Sequence, residues 1–168
     1  SNGNLYTHED SGGPTSILQI DTSTGQVVKT IIVDNYPNID WEDITEDSSY
    51  LYIAETGNNN GTRTDLKILK IAKSAITTGS VVHVNAQSIE FYYADQADFT
   101  ANSSTNFDAE ALTVVGDSLY LFSKNWGFNT ESYSNPFYGS FFIYGQDSSV
   151  TKVDLNGIKP FKFRVSCN

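Results

Sequence analysis

Two short acidic motifs hold most of the side chains in this chain that could do chemistry. Asp40-Trp41-Glu42-Asp43 opens the densest acidic stretch, which runs on to Glu46 and Asp47. Asp108-Ala109-Glu110 repeats its first two carboxylates, those of Asp40 and Glu42. Calcium takes several hard oxygen ligands, so Asp40, Glu42 and Asp43 are candidate metal ligands. Paired carboxylates in unlike environments can also act as general acid and base. The same groups, accepting bonds from loop amides, would simply pin a turn. Side chains alternate along a strand. This places Asp40, Glu42 and Ile44 on one side and Trp41 and Asp43 on the other. The repetition suits a structural role, because a catalytic pair is seldom needed twice, and it equally suits a ring of carboxylates around a channel.

Few other residues offer a reactive constellation. His8 stands beside Glu9 and Asp10, where it could be a base, a ligand or a strand-end hydrogen-bonding group. His83 sits in an alternating stretch and is expected to be exposed. Arg63 could clamp a carboxylate or phosphate, or form an ion pair within the fold. An enzyme in this sequence would draw on Glu42, Glu110, His8, Arg63 and Lys124. No Gly-x-Ser-x-Gly elbow, phosphate-binding glycine loop or His/Cys zinc spacing is present. Eight aromatic residues crowd the twenty positions from Asn125 to Tyr144. Among them Trp126, Phe128, Tyr133 and Tyr138 are candidates for stacking on a sugar or contacting a protein, the alternative being the core of a last sheet.

The chain around these residues is 168 long, enough for one domain over 1–168 with a core of its own. Net charge is −10, which excludes nucleic acid and anionic membrane surfaces as natural partners. No apolar run approaches the ~20 residues of a membrane helix, so no membrane insertion is expected. Hydrophobic residues at 39% and aromatics at 13% are too abundant for a disordered chain. The only cysteine is Cys167, which excludes an internal disulfide. Methionine is absent even at position 1, as expected of a processed product or an excised piece whose export signal is gone.

Short β-branched and aromatic runs separated by turn residues predict strands. They fall at Leu5–Glu9, Ser16–Asp21, Val27–Val33, Tyr50–Ala54, Leu66–Ile71, Val81–Val84, Ile89–Tyr93, Ala111–Val115, Leu119–Phe122, Phe141–Tyr144, Val150–Leu155 and Pro160–Val165. Only Ile71–Ile76 hints at a helical turn. Thr22–Gly25 and Val115–Ser118 read as hairpin turns. Asn38–Ile53 aligns with Asn106–Leu121 at a constant offset of 106 − 38 = 68, with six of sixteen positions identical. Leu5-Tyr6-Thr7-His8-Glu9 matches Leu51-Tyr52-Ile53-Ala54-Glu55. Repeated multi-strand units predict an all-β fold of propeller-type blades. The units lie near 4–35, 38–93 and 106–155. In the second and third, the Asn-x-Asp-x-Glu stretch enters the innermost strand and the Leu-Tyr strand returns beside it.

These motifs, in this order, resemble those of a group of secreted bacterial β-propellers. Leu5 to Gly12 is similar to that group's opening strand, and Asp40-Trp41-Glu42-Asp43-Ile44 to its next motif. The Leu51-Tyr52-Ile53 strand follows with its Gly57-Asn58-Asn59 turn and Arg63. Asp108-Ala109-Glu110-Ala111-Leu112 and a strand ending in Lys124 complete the likeness, which covers residues 4–126. It implies a propeller fold, distantly like phytase-like and esterase-like propellers, and implies little about activity. Two to three blades make an incomplete ring, since closed propellers have about four to eight. The expectation is therefore a non-enzymatic binding or assembly module, secreted or at the cell surface, with a possible structural calcium ion. Its partner would be a protein or a carbohydrate at exposed loops. Two alternatives stand beside it: a protomer that completes its blades in a homo-oligomer or fibre, and a propeller hydrolase of phosphate ester, ester or sugar substrates.

Overall fold

The computed structural model describes residues 4–94 and 96–124 in full, and beyond them the backbone of three strands, 140–144, 149–154 and 161–164. The described residues form thirteen strands, one 3-10 turn (Lys73–Ala75) and no α-helix, so the fold is all-β. The strands are β1 (Asn4–His8), β2 (Ser16–Asp21), β3 (Val27–Val33), β4 (Trp41–Glu46), β5 (Tyr50–Glu55), β6 (Lys67–Ala72), β7 (Val81–Val84) and β8 (Gln87–Glu90). They continue with β9 (Asp108–Val115), β10 (Ser118–Lys124), β11 (Ser140–Tyr144), β12 (Ser149–Asp154) and β13 (Phe161–Arg164). Local chemistry sets the reversals. At the β2–β3 turn, the Asp21 carboxylate accepts the amides of Ser23 at 2.7 Å and Thr24 at 3.2 Å, and Gly25 supplies the positive φ of 72° that closes it.

Three sheets result. The first has strand order β1-β2-β3-β7, the middle one β4-β5-β6-β8, and the third β13-β12-β11-β10-β9. All neighbours are antiparallel except β3 and β7, which run parallel. Val81–Val84 falls inside the stretch 38–93 yet leaves the middle sheet to join the first. Its alternating pattern sends Val82 and Val84 into the core, and the parallel register Ile31↔Val82 and Val33↔Val84 aligns them with the buried residues of β3. A long-range pairing of this kind has no local sequence signature.

Period-2 alternation decides which sheet each side chain serves. Ile17, Ile31, Val33, Val82 and Val84 of the first sheet bury against Trp41, Leu51, Ile53, Leu69 and Ile71 of the middle one. The opposite face of the middle sheet presents Tyr52, Ala54 and Ile68 to Ala109, Leu112, Leu119 and Leu121 of the third. Middle-sheet residues therefore pack on both faces, and Leu51 is fully buried, whereas Leu5 at the matching place in β1 is 51% exposed. Replacing Leu51 by Ala should cost about 2–5 kcal/mol in urea denaturation. Leu5→Ala should cost less than about 1 kcal/mol, as expected away from the core. Equal losses would contradict this layering.

Candidate functional site

The acidic motifs enter two strands whose first residues lie side by side. Five bonds build the entry to β4. The Asn38 side-chain oxygen accepts the Trp41 amide at 3.1 Å, while its NH₂ donates to the carbonyls of Glu9 at 3.1 Å and Asp10 at 2.9 Å. The fully buried Glu55 accepts the amides of Ile39 at 3.0 Å and Asp40 at 3.2 Å. Arg63 neutralises Glu55 through an ion pair of 2.7 Å, donates to the Gly57 carbonyl at 2.9 Å and meets Asp65 at 2.9 Å. The segment after β5 then crosses to the third sheet. Thr56 donates its hydroxyl to the Ala109 carbonyl at 2.8 Å, and the Asn58 amide donates to Asp108 at 2.6 Å.

A second device aims the glutamates. In β4, Trp41 pairs with Glu55 and Asp43 with Ala54, so Glu42 is an extra, bulged residue. In β9, Ala109 pairs with Ser123 and Ala111 with Phe122, so Glu110 is the bulged residue there. A bulge interrupts alternation and redirects a side chain. This corrects the regular strand expected from the sequence. Ile44 packs with the cluster that contains Trp41 rather than sharing a side with Glu42. Asp43 turns to the third sheet, where its two oxygens accept the Leu112 amide at 2.7 Å and its neighbour Ile44's amide at 2.8 Å. Asp43 therefore stitches two sheets and stands apart from the other acidic groups.

Glu42 is the meeting point. Its carboxylate groups with those of Asp10 and Asp40 on one side and with those of Asp108 and Glu110 on the other. Within each trio the ligand atoms lie within 4.8 Å of one another. Asp10 follows β1, Asp40 and Glu42 belong to the entry of β4, and Asp108 and Glu110 belong to β9, so all three sheets contribute. The Ser11 hydroxyl bonds Asp40, and Asn59 reaches it at 3.4 Å. Gly57 closes the floor: a Cβ there would overlap the carboxylates of both Asp40 and Glu42. Burial, then the negative charges of Glu110, Asp40, Asp10 and Asp108, push Glu42 up to about 8. Burial also raises Glu110, against the pull of Lys124 at 3.0 Å. Among the described residues no cation pairs with Glu42.

The remaining candidates are dispersed. His8 sets its ring edge-on to Trp41 at 5.8 Å and its Nδ1 lies 2.9 Å from the Glu9 carbonyl. His83 is exposed and meets Asp34 at 2.8 Å. Arg63 serves Glu55, and Lys124 serves Glu110. Trp126, Phe128, Tyr133 and Tyr138 lie outside the described residues. A cleft of about 710 Å³ opens at the far end of β4, but its Lys73 is already held by Glu46 at 2.8 Å and by the Asp47 carbonyl at 2.5 Å. Asp10, Gly57 and Asp108 complete the acidic site. The 68-residue offset marks Asp108 as the counterpart of Asp40. Asp10 carries only the hint that Glu9 before it matches Glu55, and Gly57 reads from sequence as an ordinary turn residue.

Comparison of the chain with protein-family models, curated proteins and solved structures found no match. The electrostatics make their own prediction. Folded Glu42 holds its proton more tightly than the unfolded group with its ordinary value of 4.5, so its contribution to stability is present below that pH and is lost as pH rises through about 8. In chelator, the melting temperature should fall between pH 5 and pH 8, and Glu42→Gln should flatten the slope. An unchanged slope in the variant would show that Glu42 is not the titrating group.

Proposed function

We propose that this chain is a non-enzymatic binding module of β-propeller type, working outside the cell, whose three sheets are blades and whose first two are fastened by one calcium ion. The ion would be held among Asp10, Asp40 and Glu42. One observation carries the reading: Glu42 faces carboxylates from every sheet, and among the described residues no cation pairs with Glu42 itself. A cluster of this kind costs free energy when all its members are ionised, and a hard divalent cation with oxygen ligands removes that cost. The donor set suits calcium, being all oxygen. The bare backbone of Gly57 suits it as well, since any side chain there would displace two of the donors. The bulges at Glu42 and Glu110, 68 residues apart, support successive blades of one design. The exposed Asn59 stands at the rim beside Asp40, so a protein or carbohydrate ligand would meet the module at this end.

A second reading rests on the contrast between Glu42, raised without a counter-ion, and Glu110, held by Lys124. Two carboxylates in unlike environments are what a hydrolase of ester, phosphate ester or sugar substrates requires of its acid and base. His8 and Arg63 take no part in that pair.

Calcium at about 100 times its dissociation constant should stabilise the chain by about 2.7 kcal/mol, a rise of roughly 5–11 °C in melting temperature. Calorimetric titration with calcium chloride should give one site per chain. Glu42→Gln and Gly57→Ala should each weaken it at least tenfold while leaving the circular dichroism spectrum unchanged. No heat and no thermal shift at millimolar calcium would sink the metal reading. Turnover of ester or glycoside substrates in chelator, lost in Glu42→Gln, would put the hydrolase in its place.

A further inference from the structure

The end of β4 remote from its acidic motif faces an open cleft between the first and middle sheets. On the face of the first sheet that meets the middle one, side chains stand in rows across the strands. The row Ile17↔Ile31 is apolar and fully buried. The next row, Tyr6↔Gln19 and Gln19↔Lys29, is polar, although strand alternation gives it the same core-facing side. The opposite wall changes at the same level. In β4 the core-packed Ile44 is followed on its side by Glu46, and the buried Ile71 of β6 is followed by Lys73. Both sheets turn polar together at one end of their shared core. There they part, and the cleft of about 710 Å³ lies between them.

Polar residues at core-facing positions run against folding unless they serve a function. Here the polar groups are braced by the chain itself. Lys29 donates to the Thr77 carbonyl at 2.5 Å, and Lys73 donates to the Asp47 carbonyl at 2.5 Å and to Glu46 at 2.8 Å. Asp47 accepts the amides of Ser49 at 2.6 Å and Tyr50 at 2.7 Å and the Tyr52 hydroxyl at 2.7 Å. Two ammonium groups thus face two carboxylates, and the cleft is neutral on a chain whose net charge is −10. That balance selects neither an anion nor a cation. Ile76 is the single aliphatic side chain among the described lining residues, too little for an apolar anchor. What the walls offer is donors and acceptors in mixture: ammonium groups with three protons each, the Gln19 amide, the Ser48 hydroxyl and the half-buried ring of Tyr6. Sugar hydroxyls both donate and accept, and a sugar ring packs on an aromatic face. The volume lies within the range of about 300–1,000 Å³ found for small-molecule sites.

We propose that this cleft binds a short, neutral oligosaccharide along the row Tyr6, Gln19 and Lys29. One sugar ring rests on Tyr6, and its hydroxyls bond the Gln19 amide and the protons that Lys29 and Lys73 keep beyond their bonds within the chain. Because the lysines are already held by a carbonyl or a carboxylate, they direct hydroxyl oxygens without drawing in phosphate. The site lies at the opposite end of β4 from the acidic motif. It goes beyond the reading of that motif and is independent of calcium.

Nuclear magnetic resonance of the nitrogen-15-labelled full chain tests it, in chelator. The probes are maltotriose, cellotriose, xylotriose and triacetylchitotriose, each to about 10 mM. At least one should shift the Gln19 side-chain amide and the backbone amides of Tyr6 and Lys29 saturably, with a dissociation constant of about 1 mM or tighter. Gln19→Ala and Lys29→Gln should each weaken that binding at least fivefold while the rest of the spectrum stays in place. Sodium phosphate at the same concentration should shift none of the three. Saturable phosphate binding there with no response to the sugars overturns the proposal. So does the absence of a saturable shift with all four sugars, or binding that survives both substitutions. Calcium titration of the same samples keeps the two readings apart: sugar binding without calcium binding overturns only the metal, and calcium binding without sugar binding overturns only the cleft.

Discussion

The buried carboxylate of Glu55 organises the acidic end of the molecule. It lies at the end of β5, fully buried, and holds two amides at the start of β4 and the guanidinium of Arg63. A buried charge is tolerated when its partners are complete, and here they are. Because Glu55 fixes the backbone at Ile39 and Asp40, the chain enters β4 in a defined place. Because Arg63 also holds the Gly57 carbonyl, the segment that follows runs against β9, where Thr56 and Asn58 fasten it. The charge that is satisfied at Glu55 positions charges that are not satisfied at Glu42. The contrast between these two glutamates, one neutralised by arginine and one surrounded by its own kind, is the main electrostatic fact of the fold.

Most of the strands are legible in the sequence. Ser16–Asp21, Val27–Val33 and Val81–Val84 appear with the bounds their alternation predicts, and the helical hint near Ile71–Ile76 is the 3-10 turn at Lys73–Ala75. What alternation cannot convey is partnership. The core pattern of Val82 and Val84 is plain, but nothing local says that they pair in parallel with β3. Alternation also fails at the glutamates. A regular strand through Asp40–Ile44 would place Glu42 and Ile44 together and Asp43 with Trp41. The bulge reverses that assignment, frees Glu42 from the core and sends Asp43 to the Leu112 amide. Bulges re-aim side chains near functional sites, and here one residue of slippage converts a row of acids into a convergent group.

The acidic site was partly legible for a related reason. Asp40, Glu42 and Glu110 belong to a repeated pattern, and repetition can be seen without coordinates. Asp10 joins them because Asn38 binds the carbonyls on either side of the Glu9–Asp10 link, a tertiary contact across the first two sheets. Gly57 joins them through what it lacks. Its hydrogen stands where any side chain would strike Asp40 and Glu42.

The path of β7 bears on how such a molecule can be inherited. Between β6 and β8, both in the middle sheet, the chain steps out to complete the first sheet and then returns. The first two sheets are thereby interlaced through one connection, and no cut between residues 33 and 41 separates two whole units. A duplication or recombination event that copied the middle sheet alone would leave its neighbour a strand short. The smallest cassette that can be moved intact on this side of the molecule is therefore a pair of sheets, and a genetic history of gain and loss would proceed in that larger step.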